Sequence, residues 1–111
     1  MYVQLITFRL DGMDPAEFAS LCDTIAPEYA DVPGLISKIF VADPDDPEAF
    51  GGVYLWRARE DAEIYTREGL AQVLVNSPQF TDFGSRILRV VPGPTAVTGG
   101  PVADLVGSPA A

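Results

Sequence analysis

Histidine is missing from this chain of 111 residues, and that absence excludes more chemistry than any residue present selects. Histidine is the one side chain whose ordinary pKa lies near neutrality, and it is the commonest ligand of transition metals. Without it there is no Ser-His-Asp triad, no Cys-His pair, no H-E-x-x-H zinc site and no histidine-ligated haem. Cysteine occurs once, as Cys22, so no internal disulfide forms. Positive charge is scarce too: 7 Lys and Arg stand against 16 Asp and Glu, for a net charge of −9. The basic residues Arg9, Lys38, Arg57, Arg59, Arg67, Arg86 and Arg89 are scattered, which argues against nucleic acid and anionic membranes as partners. Neither G-x-G-x-x-G nor G-x-x-x-x-G-K-[ST] occurs, and no apolar run approaches the roughly 18 residues of a membrane span. The opening "YVQLITFRL" lacks a basic leader, so the expected location is cytoplasmic. Chemistry is left to carboxylates, phenols, Arg, one thiol, backbone dipoles or the substrate itself.

What is present is a pattern of strands and helices with 48% apolar residues, enough for one small core. Residues 2–10 alternate with apolar side chains on both faces, Val3, Leu5 and Thr7 on one and Ile6, Phe8 and Leu10 on the other. Asp14 and Pro15 read as N-cap and first helical residue, and Phe18, Leu21, Cys22, Ile25 and Tyr29 form a helical stripe with Pro27 near its end. A "DVPG" turn leads to a second strand, "LISKIFVA". The acidic "DPDDPEAF" reads as a solvated loop, since it lacks the glycine and terminal glutamate of a calcium-binding EF-hand loop. Gly51 and Gly52 are expected to turn that loop into the third strand, "GVYLWRA". A second helix follows, opening on Glu60, Asp61 and Glu63 and broken at Gly69, and then a fourth strand, "RILRVVP".

The order β-α-β-β-α-β predicts an α+β, ferredoxin-like domain over residues 1–92: a four-stranded antiparallel sheet with two helices on one face. Residues 93–111, rich in Gly, Pro and Ala, read as an extended C-terminal tail. Helices cover only one side of such a sheet. Val3, Leu5, Leu35, Ile39, Val41, Val53 and Leu55 would then form an apolar patch larger than monomers tolerate, so a homodimer through the sheet faces is expected.

Together with this order, "VPGLISKIF", "FGGVYLW", "REDAEIY" and "SPQFTDF" resemble the dimeric α+β barrel superfamily of antibiotic-biosynthesis-monooxygenase-like proteins, and its YdhR-like branch in particular. The resemblance covers about the first 92 residues. It implies a ligand pocket in each subunit between sheet and helices, with the opposite sheet faces forming the dimer. It also implies a cofactor-independent monooxygenase, with no flavin, haem or metal, acting on a small electron-rich aromatic or phenolic substrate. In relatives the third strand often carries a tryptophan with a polar residue two positions before it, which here are Trp56 and Tyr54. Haem-degrading relatives use a histidine as iron ligand, and this chain departs from that branch.

Tyr54 and Trp56 fall two apart on a strand and share a face. With Tyr29 and Tyr65 they are candidates for an apolar wall carrying polar handles. Gln4, Asn76 and Arg86 or Arg89 are candidates for orienting a carbonyl or holding an anion. Cys22 lies in the helix stripe and reads as a structural thiol. No residue stands out as a general base, so two other readings stay open: a cofactor-free isomerase or cyclase, and a small-molecule-binding protein without turnover.

Overall fold

Alternation in the first strand decides which side of the sheet becomes the core. In the computed structural model, which describes residues 1–101, β1 runs Tyr2–Leu10 and buries Gln4, Ile6, Phe8 and Leu10, while Leu5 and Thr7 between them stay exposed. Helix α1 (Pro15–Tyr29) starts at Asp14, whose carboxylate accepts the Ala16 N–H at 2.7 Å, and buries Phe18 and Tyr29 against the sheet. Pro27 sits in its last turn, where the helix continues to Tyr29. Strands β2 (Leu35–Ala42) and β3 (Ala49–Trp56) form a hairpin around the acidic loop. Helices α2 (Arg59–Glu68) and α3 (Ala71–Asn76) are separated at Gly69, as the sequence predicts, and β4 (Phe80–Arg89) completes the sheet. The strand order is β2-β3-β1-β4, all neighbours antiparallel, which is the expected ferredoxin-like arrangement. No helix among the described residues is long and apolar enough to cross a membrane.

Two irregularities set which side chains reach the core. The pairing of β2 with β3 shifts between Leu35 and Ser37, so Leu35 faces Trp56 and packs with the core. This corrects its expected place on the uncovered face. The pairing of β1 with β4 shifts between Thr7 and Arg9, beside Asp82 at φ 54°, a left-handed conformation that aspartate tolerates. That bulge lets both Phe80 and Phe83 pack inward.

The face away from the helices carries Val3, Leu5, Ile39, Val41, Val53, Leu55 and Leu88. Leu5 is 37% exposed, Ile39 58%, Val41 39% and Leu88 40%, so this apolar surface lacks a cover over much of its extent. Leu55 is buried nonetheless, bordering a crevice with Val3, Leu88, Val91 and Thr95. Those last two belong to the start of a short helix, α4 (Pro92–Val97), and the residue before it. A proline at its first position and a Thr95 hydroxyl donating to the Val91 carbonyl at 2.6 Å support this helix where the composition reads as extended tail. The remainder of that predicted tail, 102–111, lies outside the described residues.

The glycine pair also has a different reason from the expected one. Gly51 and Gly52 lie inside β3, opposite Thr7 and Ile6, rather than at a turn. A Cβ on Gly51 would run into the Ile6 carbonyl, and one on Gly52 would stand 2.8 Å from Tyr54 Cε1 and 3.1 Å from Lys38 Cε. The acidic loop closes itself instead: Asp43 and Asp46 side chains accept the Asp45 and Glu48 N–H groups at 2.8 and 3.1 Å, and Arg9 pairs with Asp46. Among the described residues no cluster of acidic, cysteine or histidine side chains could hold a metal ion.

Candidate functional site

The inner face of β3 presents Tyr54 and Trp56 with their rings stacked, 6.1 Å between centroids and 5° between planes. Trp56 has no exposed surface, and its indole N–H donates to Gln4 Oε1 at 3.0 Å. The Gln4 amide in turn donates to Thr66 Oγ1 at 2.6 Å and Ser85 Oγ at 3.0 Å, while the Thr66 hydroxyl donates to the Ala62 carbonyl at 2.8 Å. Every polar atom of this buried group is matched, so it fixes the wall from behind.

In front of it stand three phenols. The Tyr65 hydroxyl lies 2.9 Å from the Tyr29 hydroxyl and 2.9 Å from that of Tyr54, a chain that joins α1, α2 and β3. Burial pushes the pKa of all three above its ordinary value, so they stay protonated and act as hydrogen-bond donors. They are poor bases for the same reason.

Tyr29 and Tyr54 border a cavity of about 240 Å³ between sheet and helices. Phe8, Phe18, Phe40 and Phe80 supply aromatic walls, with Leu21 and Ile25 from α1 and Leu70, Val73 and Leu74 from the α3 side. Two of these walls pack on one another, with the Phe8 and Phe18 ring centroids 5.5 Å apart and edge to face. A wider depression of about 580 Å³ beside Thr7, Arg9, Val41 and Asp82 is open to solvent, and its Arg9 is already engaged by Asp46 and Glu48. The more sheltered, more apolar cavity is therefore the candidate site.

One lining residue is absent from the sequence-based candidates. Lys38 projects from β2 onto the helix-covered face, with Nζ 3.6 Å from the Tyr29 ring centroid, 4.0 Å from that of Phe40 and 4.8 Å from that of Tyr54. Burial pushes its pKa down to about 8, with Cys22 pulling weakly the other way. Its signal in the sequence is a lone charge within "LISKIFVA", in register with Gln4 and Tyr54 across the sheet. Cys22 also lines the cavity, and burial raises its thiol pKa against the opposing pull of Lys38.

The remaining candidates fall elsewhere. Trp56 and Gln4 lie wholly within the core behind Tyr54 and do not line the cavity. Tyr65 is one layer back, bridging the two tyrosines that do. Asn76 is exposed at the end of α3, because the helix turns its apolar residues Leu70 and Leu74 inward instead. Arg86 pairs with Leu5 and so lies on the face opposite the cavity, exposed, and Arg89 is exposed at the end of β4.

Among curated proteins no relative matches. Solved structures with this fold include a protein from Deinococcus radiodurans described as a "putative antibiotic biosynthesis monooxygenase", at TM-score 0.67 and 16% identity, covering 82% of this chain and 93% of that one. Another is a variant of SnoaB, described as a cofactor-independent oxygenase from Streptomyces nogalater, at TM-score 0.63 and 16% identity over 80% and 91%. A third is the heme-degrader MhuD of Mycobacterium tuberculosis with two hemes bound, at TM-score 0.65 and 14% identity over 82% and 96%. At such identities these likenesses carry the fold alone. Sequence goes further, since a family model matches residues 3–101, nearly the whole described chain and past the boundary at 92 that the composition suggests. The chain belongs to the family described as "Putative mono-oxygenase ydhR".

Proposed function

We propose that the cavity binds a small electron-rich aromatic or phenolic substrate and that the protein is a cofactor-independent monooxygenase. The observation that carries this reading is the largely apolar cavity bordered by Tyr29 and Tyr54, whose hydroxyls are joined through Tyr65 behind them, in a chain of a mono-oxygenase family. Its volume of about 240 Å³ exceeds the ~150 Å³ apolar cavity that accepts benzene, so one or two rings fit.

Such a substrate supplies the redox step itself. Ionisation of an activated CH2 beside a phenolic ring gives a carbanion, which passes one electron to O2. The radical pair joins through a C–O bond, the peroxide takes up the proton, and loss of water leaves a carbonyl. One oxygen atom enters the product and the other leaves as water. The protein positions the ring, excludes water and stabilises negative charge on the substrate oxygen through donated phenolic hydrogen bonds. A homodimer closed by the uncovered sheet face, and a cytoplasmic location, belong to the same proposal.

The high pKa values of the tyrosines favour a second reading, because they remove these phenols as proton acceptors. A cofactor-free isomerase or cyclase, or a binding protein, then uses the same cavity. Oxygen uptake with a panel of phenols and naphthols that carry an activated CH2 beside the ring, and of matched phenols without one, tests the assignment. The expected outcome is one O2 consumed per carbonyl formed. Turnover that persists under nitrogen makes the protein an isomerase or cyclase, and ligand-dependent melting shifts without turnover make it a binder.

A further inference from the structure

Lys38 is a cation among ring faces. Its Nζ meets Tyr29, Phe40 and Tyr54, and among the described residues it makes no ion pair. The ionisable groups around it are Cys22, Glu28 and Tyr29 from α1 and Tyr54 from β3, with Tyr65 of α2 behind them. The thiol and the phenols stay protonated, and Glu28 is an exposed residue at the cavity edge. Ring faces hold an ammonium only weakly compared with a partner of opposite charge. The cavity thus has one positive charge without an ion-pair partner, and apart from Glu28 at its edge the rest of its lining is apolar or a neutral donor.

We infer that Lys38 is the anion partner of this cavity, and that its ligand is a weakly acidic aromatic alcohol or enol held as its anion against Nζ. This rests on the reading of the cavity as the ligand site. A neutral acid entering the cavity leaves its hydration with less penalty than an anion does. Its O–H bond then breaks, the proton passes to solvent, and the oxyanion and the Lys38 ammonium neutralise one another. A ligand carrying two or more permanent charges would need further cations, which this lining does not provide. Burial lowers the Lys38 pKa to about 8, so the side chain keeps its charge at neutral pH and loses it just above.

The test uses para-nitrophenol, whose anion is coloured and whose neutral form is not, with naphthalene as an uncharged control. Below the probe's own ionisation in water, wild-type protein is expected to bind it with appearance of the anion colour. Lys38→Met is expected to bind about 10- to 100-fold more weakly and without colour, while taking naphthalene as the wild type does. Lys38→Arg, a fixed cation, is expected to keep the colour. The pH dependence has a definite sign: above about pH 8 Lys38 loses its proton while the probe stays anionic, so wild-type affinity falls by about tenfold per pH unit. Lys38→Arg is expected to show no such fall. Circular dichroism checks that each variant is folded. If Lys38→Met develops the colour as wild type does, the role of Lys38 is overturned. A wild type that takes naphthalene but leaves para-nitrophenol colourless overturns it too, while the cavity reading stands. A folded wild type that binds neither probe overturns both.

Discussion

Gln4 holds the back of the cavity together, since its amide accepts the Trp56 N–H and links β3 to α2 and β4. Gln4→Leu keeps the volume roughly constant and leaves that indole N–H buried and unpaired, at a cost of about 2 kcal/mol. Trp56→Phe removes the donor and leaves Gln4 Oε1 without it, at about 3 kcal/mol including the space vacated. The double variant loses both halves of one bond, so urea unfolding should give a total smaller than the sum by about 1 kcal/mol. Strict additivity would mean that the bond contributes nothing. The sequence carries the face that Tyr54 and Trp56 share, because strand periodicity alone sets it. It does not carry depth: one side chain of that pair borders the cavity and the other lies behind it, a distinction made by α2 packing over Trp56. Lys38 was legible as a lone charge in an apolar strand, yet only the pairing of β2 with β3 shows that it faces inward.

Strand β3 explains at the element scale why two successive residues must lack side chains. Gly51 abuts backbone, the Ile6 carbonyl of β1, whereas Gly52 abuts the side chains of Tyr54 and Lys38. Backbone in a central strand pair cannot yield without loss of ladder bonds, while the end of a lysine can move. Gly51→Ala is therefore expected to be the more damaging, by about 3 kcal/mol or more, and Gly52→Ala milder, at about 1–2 kcal/mol. The milder change should still weaken para-nitrophenol binding, because it displaces Lys38 and Tyr54. Urea midpoints and probe titration of the two variants check the order, and a Gly51→Ala protein as stable as wild type would refute the steric argument. Element order and type from β1 to β4 were readable because hydrophobic period and turn residues are local signals, whereas α4 lies in a stretch whose composition reads as tail. The bulges that moved Leu35 inward and brought Phe80 and Phe83 to the core were not, since each depends on the partner strand.

At the scale of the whole molecule, the two faces of the sheet are separate problems. One face holds the cavity, and the other exposes Leu5, Ile39, Val41 and Leu88 around Val53. A second copy laid on that face by a twofold axis covers the same residues on both subunits at once. Ile39, the most exposed of them, is the place to test it. Wild type is expected to sediment as a dimer and Ile39→Glu as a monomer, because a carboxylate buried in such an interface would be desolvated on both subunits without a partner. Each subunit carries a net charge of −9, so association should tighten as added salt screens the repulsion, opposite to the behaviour of an interface held by ion pairs. Probe binding should survive in the monomer within a few-fold, since Ile39 points away from Lys38 across the same strand. A wild type that stays monomeric at micromolar concentration would sink the dimer, and loss of probe binding in a folded Ile39→Glu monomer would show that the cavity depends on the partner.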